Sequence, residues 1–297
     1  MSSIATLTAA HGEAADGYSY GFLDAVSKRE IRRSLLKAVA IPGYQVPFGS
    51  RELPIARGWG TGGLQITLSL VGPGDVIKVI DQGDDASVNA ANLRRLIERT
   101  TGLQGTVDTH EATIIQTRHR IPEERLGANQ ILVFQVPTPE PLQKVEPSTT
   151  LARRMHAESD YSRMWVSIYE GIVSRGDLKG GADYPVLVNG RYVMAPSPIP
   201  RWDVPRLHGA EALFLFGAGR EKRVYAVPPF TTVQPLQFED YPFEVESFRG
   251  RVCSHGHQVG SEAFLDEVIG ADGQVTYTCN DTAFCEKLRA GQEVTQW

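Results

Sequence analysis

Three observations place this 297-residue chain in the α+β class. Several short β-rich runs alternate apolar and polar residues, a few segments repeat apolar residues every three or four positions, and an Asn-Gly pair sits between two β-rich runs. The expected architecture is a mixed β-sheet core flanked by helices, with a small Cys/His-containing β-hairpin module at the C-terminus. Hydrophobic residues make up 41% and glycines number 29, which excludes a disordered polymer or a collagen-like repeat. The 30 Lys and Arg against 35 Asp and Glu give a net charge of -5, without the basic excess that drives binding to nucleic acid or anionic membranes.

Residues 1–16, rich in Ala, Ser, Thr and Gly, read as a mobile leader with neither a secretory nor a transit pattern, so the expected location is cytoplasmic. Ser27 and Glu30 have capping-box spacing. Ile31, Leu35 and Val39 then predict a helix that stops before Pro42 and Gly43 and delivers IPGYQVPFG as an ordered loop. Leu64, Ile66, Leu68 and Leu70 alternate with Gln65, Thr67 and Ser69, the pattern of a strand with one buried face. A second strand, VIKVI, follows across GPGD. Val88, Leu93, Leu96 and Ile97 predict a helix over 87–101 that Gly102 terminates.

Strands are expected near ATIIQT and ILVFQV, followed by a helical insertion near 147–180 whose Leu151, Met155, Met164, Ile168 and Ile172 read as packing residues. VLVNGRYVM predicts a hairpin turning at Asn189-Gly190, and ALFLF and RVYAV a strand pair around GAGREK. FLDEVIGADGQVTYTC predicts a last hairpin turning at Asp272-Gly273. The organisation is thus a leader over 1–16, a core over 17–245 and a Cys/His module over 246–297. No apolar run approaches the ~18 residues of a membrane span.

Cys253, Cys279 and Cys285 are the only cysteines, all within the last 45 residues. Random scatter would place all three there about 0.3% of the time. With His255 and His257 they supply five soft or borderline donors to one ion or cluster. Three readings stand on spacing alone: structural Zn, an iron-sulfur or reactive-thiol role, and inert residues. The glycine-rich GWGTGG (58–63) and GAGREKR (217–223) could offer amides and cations to a phosphate, the latter through Arg220, Lys222 and Arg223. Tight turns with a solvated basic edge are the competing reading. Arg118-His119-Arg120 after a strand could grip a phosphate or form a surface charge run. No G-x-S-x-G, H-E-x-x-H or EF-hand loop occurs, so classical hydrolase chemistry has no foothold.

RRSLLKAVAIPGYQVPFG, GWGTGG, IIQTRHRIPE, FQVPTPEPL, YPVLVNGRYVM with PSPIP, LFGAGREKRVYAVPPFT, and LDEV with CNDTAFC resemble the PhnJ family of carbon-phosphorus lyase catalytic subunits over residues 17–285. The resemblance implies radical cleavage of ribose 1-methylphosphonate 5-phosphate to methane and a ribose cyclic phosphate, with a 4Fe-4S cluster and S-adenosylmethionine. It also implies a complex with other core subunits and an ATP-binding-cassette type subunit. By the same resemblance Gly43 carries a glycyl radical and Cys285 a thiyl radical. The family's first arm reads CxxC, whereas here Gly256 stands at the second position, between His255 and His257. With Cys285 reserved for the radical, Cys253 and Cys279 remain for the cluster, so a histidine, His255 or His257, must complete it, with His257 assigned as the cluster donor. Closed Zn ligation by all three cysteines and a histidine is the expectation for aerobic protein. The rival reading is a non-catalytic Zn-binding scaffold subunit of a phosphonate-metabolism complex.

Overall fold

The computed structural model describes residues 25–49, 61–81, 84–118, 121–135, 186–192, 204–218, 223–235, 252–256 and 265–295, with Leu23 and Ser174. The leader, nearly all of the helical insertion near 147–180, and the candidates His119, Arg120, Arg220, Lys222 and His257 lie outside them. No helix among the described residues is long and apolar enough to cross a membrane.

The chain runs α1 (Ala25–Ala40), β1 (Val46–Pro47), α2 (Thr61–Leu70), β2 (Val76–Asp81), α3 (Val88–Thr101), β3 (Gln104–Thr106), β4 (Ile114–Arg118) and β5 (Ile131–Gln135). It continues through β6 (Val186–Val188), β7 (Arg191–Tyr192), α4 (Val204–Leu207), β8 (Leu213–Ala218), β9 (Arg223–Val227), β10 (Val233–Pro235), β11 (Leu265–Ile269), β12 (Val275–Cys279) and α5 (Thr282–Arg289). Seven strands form one sheet in the order β1-β9-β8-β5-β4-β2-β3. From β3 to β8 the neighbours are parallel, while β9 and β1 add antiparallel pairs at one side. The sheet is therefore mixed, as expected, with a parallel centre. β10, β6 and β7 make a second sheet, and β11 with β12 a hairpin.

Helices α1, α2 and α3 cover one face of the large sheet. Ile31, Leu35, Leu64, Ile66, Leu93 and Ile97 pack there with Ile77, Val79, Val133 and Leu215. Because paired residues in register share a face, Lys78 and Ile80 of β2 point to the other side with Ile115, Phe134, Phe216 and Tyr225. On that side Phe216 stacks on Tyr225 with ring centroids 4.7 Å apart.

Two expectations are corrected. Leu64–Leu70 is part of helix α2 and not a strand. The alternation misled because the helix is buried all round: Gln65, Thr67 and Ser69 are as inaccessible as the leucines between them. Their polarity is met internally, Thr67 hydrogen-bonding the Gln116 side chain and the Ser69 hydroxyl donating to the Gln65 carbonyl at 2.6 Å. Helix α1 also begins at Ala25, so Ser27 lies inside it and does not cap it.

The end of GWGTGG serves packing: Gly62 and Gly63 lie in α2, and a Cβ at Gly63 would stand 2.7 Å from the Gln135 Cβ. Across the contact, a Cβ at Gly217 would meet the Ile66 Cδ1 at 2.5 Å. These glycines let α2 lie directly on β5 and β8. The other expected elements that fall on described residues agree with the reading, including the Ser87 cap and left-handed Gly102 of α3. Asn189 and Gly190, with φ of 49° and 73°, form the tight turn between β6 and β7.

Candidate metal centre and active site

The cysteine module begins with a turn at Cys253. The Gly256 amide donates to the Cys253 carbonyl at 2.8 Å, and the Ser254 amide donates to the Tyr277 carbonyl of β12 at 2.6 Å. That second bond lays the turn beside the strand that ends in Cys279. Asn280 and Asp281 connect β12 to α5, whose N-cap is Asp281: its side chain accepts from the Phe284 amide, and its carbonyl accepts from the Cys285 amide at 3.0 Å. Turn, strand end and helix thereby converge, and the three sulfurs lie within 4.8 Å of one another, with Cys253 and Cys285 4.0 Å apart.

Burial pushes all three thiols up, but not to the same outcome. At Cys253 the amides of His255 and Cys279 and the neighbouring thiols donate to sulfur and outweigh burial, so this thiol falls below its ordinary value. At Cys279 burial is reinforced by the charges of Cys285 and Cys253, and the thiol rises strongly. Cys285 rises from burial and the charge of Cys253. The first thiolate therefore forms at Cys253, and a cation is what would let the others ionise.

Around one tetrahedral Zn ion, bonds of about 2.3 Å put sulfurs about 3.8 Å apart, so this triangle fits three corners of such a site with a fourth position for another donor. A four-iron cluster is wider, because each thiolate binds a different iron. If Cys285 is reserved for radical chemistry, only two thiolates remain for a cluster among the described residues. The His255 side chain is exposed and outside the sulfur group, its contribution being the amide on Cys253. Gly256, at the family's second cysteine position, has a φ of 88°, and a Cβ built there meets no atom within 4 Å.

Gly43 is buried at a junction between the two larger sheets. Its amide donates to the Ala226 carbonyl of β9 at 3.0 Å, its φ is 75°, and a Cβ would stand 3.0 Å from that of Val188 in β6. Glycine is thus required by backbone and space, whatever else it does. Beside it, the Arg223 guanidinium donates to the Gln45 side chain at 3.5 Å, and Arg191 sits 5.8 Å from the Tyr44 ring centroid. Arg191 was not singled out from the sequence. Arg118 is engaged elsewhere, buried in a two-pronged pair with Asp81, with Nε to Oδ1 at 2.6 Å and Nη2 to Oδ2 at 3.0 Å.

Sequence reasoning also missed the ionic groups that seat α5. Lys78, fully buried in β2, donates to Asp281 Oδ1 at 2.9 Å and to Thr109 Oγ1 at 3.0 Å, with Asp85 Oδ2 at 3.4 Å. Asp85 in turn accepts from the Thr282 hydroxyl at 2.6 Å, and burial pushes its carboxyl up against the opposing pull of Lys78. One turn on, Lys287 donates to Asp108 at 2.7 Å and Glu124 at 3.1 Å. The available signal was the lysine within VIKVI, since a cation inside a fully buried strand demands an anionic partner elsewhere.

The family model described as phosphonate metabolism protein PhnJ matches residues 16–291. A protein of Rhizobium meliloti (strain 1021), alpha-D-ribose 1-methylphosphonate 5-phosphate C-P-lyase, is 54% identical over 275 residues, covering 92% of this chain and 91% of that protein. The Escherichia coli (strain K12) protein of the same description is 52% identical over 274 residues, 91% of this chain and 96% of its own length.

Proposed function

The chain belongs to the family of the phosphonate metabolism protein PhnJ, and on that premise we propose that it cleaves the carbon-phosphorus bond of alpha-D-ribose 1-methylphosphonate 5-phosphate as one subunit of a cytoplasmic complex. The supporting observation within the molecule is the convergence of Cys253, Cys279 and Cys285. An unactivated carbon-phosphorus bond offers no good leaving group to an acid or base, so the reading is homolytic. Cys285, as a thiyl radical, adds to phosphorus. The sulfur-phosphorus bond forms as the carbon-phosphorus bond breaks, and the methyl radical takes from the Gly43 α carbon the hydrogen atom that Cys285 gave up when its thiyl formed, leaving as methane and restoring the radical at Gly43. The sugar 2-hydroxyl then displaces sulfur, closing the 1,2-cyclic phosphate and returning the thiol.

Gly43 is the proposed radical store, because adjacent amides delocalise an unpaired electron on its α carbon. A 4Fe-4S cluster with S-adenosylmethionine would supply the first hydrogen abstraction, with Cys253, Cys279 and His257 as the cluster's protein donors. Arg223, beside the Gly43 loop, is assigned to a substrate phosphate, and Arg220, Lys222, His119 and Arg120 are further candidates from the sequence. Arg118 is engaged by Asp81 and drops from that set.

The test is anaerobic incubation of the complex, reconstituted with iron, sulfide, reductant and S-adenosylmethionine, with the ribose phosphonate. Methane in the headspace and a cyclic phosphate by phosphorus NMR are expected, and neither product would overturn the assignment. The sulfur triangle also favours a second reading, a Zn-holding scaffold, for which the same preparation would retain Zn and stay inert.

A further inference from the structure

We propose that Lys78, Asp85 and Asp281 form a positioning assembly that sets the spacing of Cys279 and Cys285 for metal binding. It deepens the metal-site reading above. Asp281 lies between the two cysteines in sequence, and its carboxylate is tied at once to the helix that carries Cys285, through the Phe284 amide at 3.2 Å, and to the sheet, through Lys78. Asp85 follows β2 and takes hold of both sides of Asp281: its amide donates to the Asn280 carbonyl at 3.3 Å, and its carboxylate accepts from Thr282. Asn280, Asp281 and Thr282, which follow Cys279 directly, are therefore gripped at successive residues by one strand and the loop leaving it.

The three side chains are at most 5% exposed. Such a directional ionic grip fixes the angle at which α5 leaves β12 more narrowly than apolar packing would. By contrast, the hairpin that bears Cys279 exposes most of β11 and half-buries the end of β12, where Leu265 and Cys279 pack on Phe284, a non-directional contact that leaves the sulfur's angle less narrowly fixed.

Cobalt(II) titration of the full chain under anaerobic conditions reads this assembly directly, through the thiolate-to-cobalt charge-transfer bands, and needs no lyase turnover. Lys78→Met leaves two buried carboxylates without their cation and is expected to lower thermal stability as well as cobalt affinity. The triple variant Lys78→Met/Asp85→Asn/Asp281→Asn keeps a capping side chain at 281 and buries no net charge, so its melting temperature should return toward that of the wild type. Its cobalt affinity should nevertheless remain lower by roughly 10- to 100-fold, with altered charge-transfer bands. A folded triple variant with wild-type affinity and spectrum would overturn the proposal, as would a wild-type chain that binds no cobalt. If the positioning holds while no methane is ever formed, the lyase reading alone fails.

Discussion

Two contacts on opposite faces of the seven-stranded sheet rest on different physics. On one, α1 to α3 press Ile31, Leu64, Ile66, Leu93 and Ile97 onto Ile77, Val79, Val133 and Leu215. That contact is non-directional and is worth about 25 cal/mol per Å² of apolar surface buried. On the other, α5 packs Phe284 against Leu265 and Cys279 and is tied toward β2 by Lys78 and Lys287 against Asp85, Asp281, Asp108 and Glu124. Buried ion pairs of this kind add little net stability, because desolvation offsets much of the attraction, but they are strongly sensitive to the loss of one partner. The apolar face decides that the chain folds, and the ionic side decides where Cys285 sits.

The largest separation between the faces should come from Cys285→Ser. Its near-isosteric side chain keeps the fold, so the melting temperature should stay close to that of the wild type while methane release falls below detection. Residual methane at a tenth of the wild-type rate would place the reacting sulfur elsewhere.

Ile97→Ala breaks the comparison from the other side. It opens a cavity beneath α3 at a residue with no exposed surface, at an expected cost of about 2 to 5 kcal/mol. Denaturant titration should register that loss, while turnover per folded molecule stays unchanged. Reduced turnover in the fully folded variant would show that the apolar face transmits to the site.

Gly43→Ala falls between these two, because the glycine is both strained and chemically assigned. The left-handed φ costs an alanine about 1 to 2 kcal/mol, and Val188 stands 3.0 Å from the new methyl carbon. Destabilisation is therefore expected together with loss of methane, and activity alone cannot separate the two effects. Electron paramagnetic resonance of the reconstituted complex grown on α-¹³C glycine separates them: a doublet broadened by the label is expected, and an unchanged line would remove Gly43 as the radical site.

Legibility in the sequence followed the same division. Helix α3, β2, the Asn189-Gly190 turn and the last hairpin were readable because one local rule governed each. Helix α2 was not, since burial on every side erased the helical period and left an alternation that a strand would also produce. The cysteines were visible as candidates because thiols are rare in this chain. Their supports were not, because Lys78 and Asp281 are 203 residues apart, and a lysine inside VIKVI signals that an anionic partner exists without saying which. The clash that keeps Gly63 small is likewise a property of a neighbour, Gln135, and not of its own segment.

The smallest expected effect is the pH dependence of the outer clamp. Burial pushes the Asp108 carboxyl up, but hydrogen bonds from Lys287 and the His110 amide outweigh it and hold the group below its ordinary value of 3.8. For Lys287, burial acts downward, and the bonds to Asp108 and Glu124 lift it above its ordinary 10.5. A carboxyl depressed by folding contributes stability above its unfolded value, and that contribution disappears as pH falls through the folded one. A lysine raised by folding contributes below its unfolded value and loses the contribution as pH climbs through the folded one. The clamp is thus at full strength between about pH 4 and 10. Asp85 acts oppositely, its raised carboxyl contributing below 3.8 and losing that contribution as pH rises through its folded value. Because Asp108 is partly exposed, Asp108→Asn should cost less than about 1 kcal/mol at neutral pH. Its distinguishing mark is a flatter acid limb, since the variant has no such carboxyl to protonate. Urea titrations of wild type and variant at pH 3, 4 and 7 would show the two stabilities converging toward acid, and a gap that stays constant would mean that Asp108 acts through shape and not through charge.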